Sequence, residues 1–212
     1  MDHIDSHPFW GKKSPFAQAA YIPILLCTST RLSIAIISTA ALIWTFILSS
    51  ISILAAARLI PSRFKVLVHV FISSFWTLVF GILIFLFSPI LFLEIQFPLA
   101  LTAVVFILSG LGDNMDTETS SAVMKKSIIQ SIIIGAIILL FSLVREPFGF
   151  GALSLPSREG IVEILTSEIA SDMAIRTVAL TSGGLILLGF VVGFYRIFKE
   201  MFIIYYSRRE NQ

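Results

Sequence analysis

Long runs without charge alternate along the chain with short polar connections. Six runs stand out: residues 14–30, 32–57, 66–93, 95–112, 127–144 and 177–195. Crossing about 30 Å of hydrocarbon takes roughly 20 apolar residues in a helix. The first run holds 17 residues and the fourth and fifth 18 each, so these three are marginal. The runs are continuous rather than alternating, which predicts helices and not a barrel. The pattern therefore predicts an all-α, polytopic membrane protein with six transmembrane helices. It forms a single integral membrane domain over 1–212, with a tail over 1–13 and a six-helix region over 14–204. The first and fourth runs each contain a proline, Pro23 and Pro98. Short, interrupted segments at matching places in two halves point to a site. Here they suggest two inverted three-helix halves with broken first and fourth helices. The internal similarity is limited to Ile22-Pro23-Ile24 against Phe97-Pro98-Leu99, each followed by hydroxyl residues.

The connections refine this reading. Gly110-Leu111-Gly112-Asp113-Asn114 reads as a helix stop and turn, and Asp113–Ser121 as a solvated link. Pro147 reads as the end of the fifth helix, with Gly149 and Gly151 permitting a tight turn. Ile161, Ile164, Leu165 and Ile169 have helical spacing within Ser157–Asp172, which predicts a short amphipathic helix on the outer membrane surface or against a partner. Phe194, Tyr195, Phe202, Tyr205 and Tyr206 form an interfacial aromatic belt on the last helix. With six spans, eleven Lys and Arg residues fall on the side of both termini and four on the other, Arg31, Arg145, Arg158 and Arg176. The positive-inside rule then places both termini in the cytoplasm of a bacterial inner membrane. The first 15 residues lack the apolar core of a cleavable signal peptide, so insertion relies on the first helix.

Composition narrows the functional classes. Hydrophobic residues make up 57% and charged residues 13%, with a mean hydropathy of +0.95. A soluble domain carries about 25% charged residues. The net charge of +2 is too small to suggest nucleic acid. A lone cysteine, Cys27, forms no intrachain disulfide.

No catalytic triad, paired-carboxylate site, phosphate loop or His/Cys metal spacing is present in the sequence. The stretch richest in candidate chemistry is Tyr21–Arg31. Pro23 interrupts it, Cys27 lies within it, and Thr28, Ser29 and Thr30 can bond freed backbone groups. Either this is a broken helix that handles an ion or substrate, or Pro23 kinks an ordinary helix around a small buried cysteine. His3 and His7 lie in the tail, and His69 reads as an anchor near the cytoplasmic end of the third helix. Glu94 is the one acid flanked by long apolar runs; it reads as part of a short outer turn or as an intramembrane functional group. Arg145 and Glu146 read as snorkelling charges at a plain helix terminus.

Several stretches together carry a family resemblance: Phe9-Trp10-Gly11, Leu26-Cys27-Thr28, Phe97-Pro98-Leu99 and Arg145-Glu146-Pro147-Phe148-Gly149-Phe150-Gly151. The chain resembles the small six-helix membrane subunits of the Rnf and Nqr complexes, of the RnfE/NqrD type, over nearly its whole length. The Arg145–Gly151 run is the most specific part of the likeness, through Arg145, Glu146, Gly149 and Gly151. The resemblance implies a subunit of an ion-translocating oxidoreductase that couples electron transfer between NADH and ferredoxin or quinone to sodium or proton transport. It also implies a related six-helix partner of opposite topology. Cysteines on the broken first and fourth helices of the pair then hold an iron–sulfur cluster, and Cys27 matches the first-helix ligand.

The chain departs from the pattern at the second ligand. Thr102-Ala103-Val104 stands where the family has Thr-Asn-Cys, so Val104 falls in place of the cysteine, and Thr28 stands where many members have proline. A two-iron cluster takes about four protein ligands, and this chain offers one thiolate. The cluster is therefore expected to be modified or missing on this side, and a third reading is a paralogue with a purely structural role. The alternative from another class is a six-helix small-molecule transporter component of the vitamin-importer kind.

Overall fold

A computed structural model of the chain describes residues 21–56, 61–111, 119–166 and 176–210. In order, the elements are α1 (Ile22–Thr28), α2 (Leu32–Ala56), a 3-10 turn (Ser62–Phe64), α3 (Lys65–Phe87), α4 (Pro89–Leu108), α5 (Ser120–Phe150), β1 (Ala152–Ser157), β2 (Gly160–Thr166), α6 (Arg176–Ala179) and α7 (Thr181–Glu210). Five helices are long and apolar enough to cross a membrane: α2, α3, α4, α5 and Thr181–Phe202 of α7. The first predicted span is described only from residue 21, and among its described residues the α-helix is the seven-residue α1. Residues 14–20, and with them His3, His7, Lys12 and Lys13, lie outside the described residues.

The bundle is built around α2. It runs antiparallel to α5, as successive bonds show: Leu32 N–H to Glu146, Thr39 Oγ1 to Gly135 O at 3.4 Å, and Ser50 Oγ to Ser127 Oγ at 2.8 Å. Gly135 is what lets these helices touch, because a Cβ there would come 2.5 Å from Thr39 Cγ2. Phe46 of α2 meets Phe106 of α4 edge-on, with ring centroids 5.2 Å apart. Ile24, Leu42, Phe46, Phe106, Ile134 and Ile138 form the centre of the core. Hydroxyls tie the spans where hydrocarbon would leave them unpaired. Thr77 of α3 lies 3.2 Å from Thr45 of α2 and 3.5 Å from Thr102 of α4. Such interhelical bonds stabilise membrane bundles by about 0.6 kcal/mol each.

Four expectations are corrected. The third and fourth helices part at Ser88-Pro89 and not at Glu94. Ser88 accepts from Leu91 N–H at 3.3 Å as N-cap, with Pro89 at the first turn, the usual chemistry of a helix start. Glu94 consequently lies inside α4 rather than in a turn. The fourth helix is not broken: α4 runs continuously across Pro98. Pro147 does not end the fifth helix, which continues to Phe150 and closes on Gly151 at φ 65°, whose N–H bonds Pro147 O at 2.9 Å. The described chain is mostly helical, as expected, but its outer connection is not. In place of the amphipathic helix, β1 and β2 pair antiparallel across a turn at Arg158-Glu159, with a bulge after Leu153. β-branched Ile161, Val162 and Ile164 and the Gly160 turn favour strands. Residues 167–172 of that predicted helix lie outside the described residues.

Candidate functional site

The interruption in the first segment is a reversal between two helices. Pro23 sits in the first turn of α1, where its missing N–H costs nothing. Tyr21 accepts from Gln130 Nε2 at 2.9 Å, while Ser29 meets Arg145 further along α5. So α1 runs with α5, the chain turns at Ser29-Thr30-Arg31, and α2 runs back against α5.

A helix end leaves four carbonyls without intrahelical donors. Ser29 N–H closes the last helical bond of α1 on Leu25 O at 3.2 Å. Two of the carbonyls beyond it find other partners: Cys27 O accepts from Thr30 Oγ1 at 3.5 Å and Leu26 O from Arg145 Nη1 at 3.0 Å. The start of α2 is closed from outside as well. Glu146 Oε2 accepts Leu32 N–H at 2.8 Å, and Ser154 Oγ on β1 accepts Ser33 N–H at 3.3 Å. Adjacent residues of α5 therefore hold the two sides of one helix break.

Arg145 and Glu146 are not snorkelling interfacial charges. They are 1% and 2% exposed. Arg145 uses every donor it has. Nε donates to Val178 O at 3.1 Å; Nη1 to Leu26 O and Ser29 Oγ, both at 3.0 Å; and Nη2 to Ala179 O at 3.1 Å and Leu180 O at 3.0 Å. Guanidinium carries five N–H groups in a rigid fork, so the match of five donors to five acceptors is complete. The group thus joins α1, α5 and the α6–α7 junction, and its charge faces carbonyl and hydroxyl dipoles rather than a carboxylate.

Glycines make the room. A Cβ on Gly184 of α7 would lie 2.8 Å from Arg145 Cζ, and one on Gly149 would lie 2.9 Å from the Ala179 backbone nitrogen. Gly151 supplies the left-handed residue that ends α5. Arg31, just before α2, lies 5.4 Å from the Phe150 ring centroid and 3.9 Å from Glu163.

Cys27, half-buried, sits in the last turn of α1, between the fixed carbonyl of Leu26 and its own bonded carbonyl. Val104 is exposed on α4, and Glu94 is exposed on the second turn of the same helix. His69 is buried within α3. Among the described residues, no three His, Cys, Asp or Glu side chains come together to hold a metal. These residues alone do not make a cluster site; Cys27 is the one thiolate the chain brings to any shared one. The partners of Arg145 and Glu146 escape sequence reading because they lie 114 to 119 positions away on α1 and α2 and 33 to 35 away beyond the hairpin.

Apolar spanning helices joined by buried hydroxyls define a multi-pass helical membrane protein. Comparison with protein-family models, curated proteins and solved structures found no match.

Proposed function

We propose that the chain is a membrane subunit of a redox-driven ion-translocating complex, of the RnfE/NqrD type it resembles. One observation carries this reading. Of the residues of the most specific motif, Arg145 holds the helix end bearing Cys27 and Glu146 the start of the helix that follows, while Gly149 makes room for Ala179 and Gly151 closes α5. A motif that fixes a turn around the chain's only cysteine suits a subunit that must keep one ligand in place at a partner's surface. In this reading residues 14–28 complete a first span. Six antiparallel spans then split after α3 into two halves of opposite topology. The eleven-to-four charge bias puts both termini in the cytoplasm. Cys27 supplies this chain's thiolate toward an iron–sulfur centre whose remaining ligands come from a related six-helix partner subunit. With Val104 in place of a second cysteine, that centre is altered or absent here.

The test is purification of the tagged full chain from its native membranes in mild detergent. Co-purifying subunits are identified, and iron and sulfide are measured together. Redox subunits with iron that falls in Cys27→Ser support the proposal. Redox subunits whose iron content and cluster spectrum ignore Cys27→Ser show that Cys27 is no ligand. A bound small molecule without redox subunits overturns the reading in favour of a transporter component.

A further inference from the structure

Glu94 occupies a costly position. Its surface neighbours along α4 are Ile90, Leu93 and Phe97, exposed by 56%, 64% and 62%. Its depth follows from the β-hairpin. Gly160, next to the polar Arg158-Glu159 turn, lies against Ile90, since a Cβ there would come 3.4 Å from Ile90 Cγ2. Glu94 is four residues further into the span, about 6 Å at 1.5 Å per residue. A carboxylate among lipid-facing apolar side chains requires a counter-group. Among the described residues none reaches it: Arg145 is saturated by five acceptors, Arg31 lies beside Glu163, and no ion pair or hydrogen bond involves Glu94. Pro98 also withholds the N–H that would bond the Glu94 carbonyl one turn before it. On the other flank of the exposed face, Gln96 lines a groove of about 560 Å³ between α3 and α4, whose walls are mostly Leu78, Ile82, Phe85, Phe92 and Leu99. Such a groove takes apolar side chains, and an amide inside it can bond across helices.

We infer that the face of α4 between Glu94 and Gln96 docks a transmembrane helix of a different membrane protein, one that carries Lys or Arg opposite Glu94. Acyl chains offer neither charge nor hydrogen bonds. A second copy in a two-fold contact would present this same face, and α4 carries no Lys or Arg to set opposite Glu94. The inference rests on the helices spanning a membrane and not on the redox reading, because any membrane partner of this chemistry would serve.

A photoreactive amino acid at Leu93, in the full chain in its native membranes, tests this. The expected adduct joins a membrane-embedded peptide of another protein with Lys or Arg within a turn of the cross-link. Glu94→Gln lowers its yield at least tenfold, and Glu94→Asp retains it. Glu94→Lys restores it only with the partner's basic residue changed to Glu. Adducts with lipid alone, adducts with a second copy of this chain, or a yield unchanged in Glu94→Gln would each overturn the inference. A melting temperature for Glu94→Gln equal to that of the unaltered protein separates lost docking from lost folding.

Discussion

Replacing Arg145 with Met should be the most damaging single change in the described structure. The side chain is nearly isosteric along its stem but removes five hydrogen bonds at once. Hydrogen bonds to a charged group contribute about 1.5–3 kcal/mol each. Against that gross sum of roughly 7–15 kcal/mol stands a desolvation penalty of several kcal/mol for the buried guanidinium. What decides the outcome is that the acceptors stay behind. Leu26, Val178 and Ala179 would keep carbonyls in an apolar interior without the donors they have now, while Leu180 would keep only Gly184 N–H. Removing one member of a buried charged network costs about 3–5 kcal/mol. For a chain of this length that lowers the apparent melting temperature in detergent by roughly 6–20 °C. Arg145→Lys keeps the charge but has three donors on one nitrogen and cannot span α1 and the α6–α7 junction together, so about 2–3 kcal/mol is lost. Cys27 provides a local readout, because the chain has no other thiol to compete for a maleimide. Freed of Leu26's anchor, the end of α1 should open more often, and labelling should speed up well beyond tenfold in Arg145→Met. Melting within about 2 °C of the unaltered protein, less than 1 kcal/mol of change, together with unchanged labelling would show that the guanidinium does not hold the break.

Two further substitutions probe the rest of the clamp. Glu146→Ala leaves the Leu32 N–H buried without an acceptor and should cost about 1–3 kcal/mol; Glu146→Gln keeps an amide oxygen in reach and should melt close to the unaltered protein. Gly149→Ala forces a Cβ onto the Ala179 backbone and should cost about 1–3 kcal/mol by overpacking. Gly151→Ala strains a left-handed residue and should cost about 1–2 kcal/mol, so thermal melts should rank Gly149→Ala at or below Gly151→Ala.

Much of this protein is legible without its tertiary structure. Continuous charge-free runs report transfer from water to hydrocarbon, a property each segment carries by itself. α2, α3, α4, α5 and α7 accordingly fall close to their predicted windows. The boundary at Ser88-Pro89 was also readable, since a capping serine followed by proline starts a helix whatever surrounds it; charge at Glu94 was the misleading signal. The weight on Tyr21–Arg31 and on Arg145–Gly151 came from the sequence too. What it did not contain was that these two stretches are one structure. A buried arginine and a snorkelling arginine look alike in a chain, because the difference is whether acceptors wait at the other end. Those acceptors are carbonyls of Leu26, Val178, Ala179 and Leu180, and every residue has a carbonyl. The same holds for Pro147 and Pro98, which end a helix in isolation but are carried through when packing on both sides holds the helix together. It holds as well for the hairpin, whose strands are fixed by pairing with each other and by Ser154 docking on α2. Local transfer energies set which segments enter the membrane; contacts over a hundred residues apart decided how the break is closed.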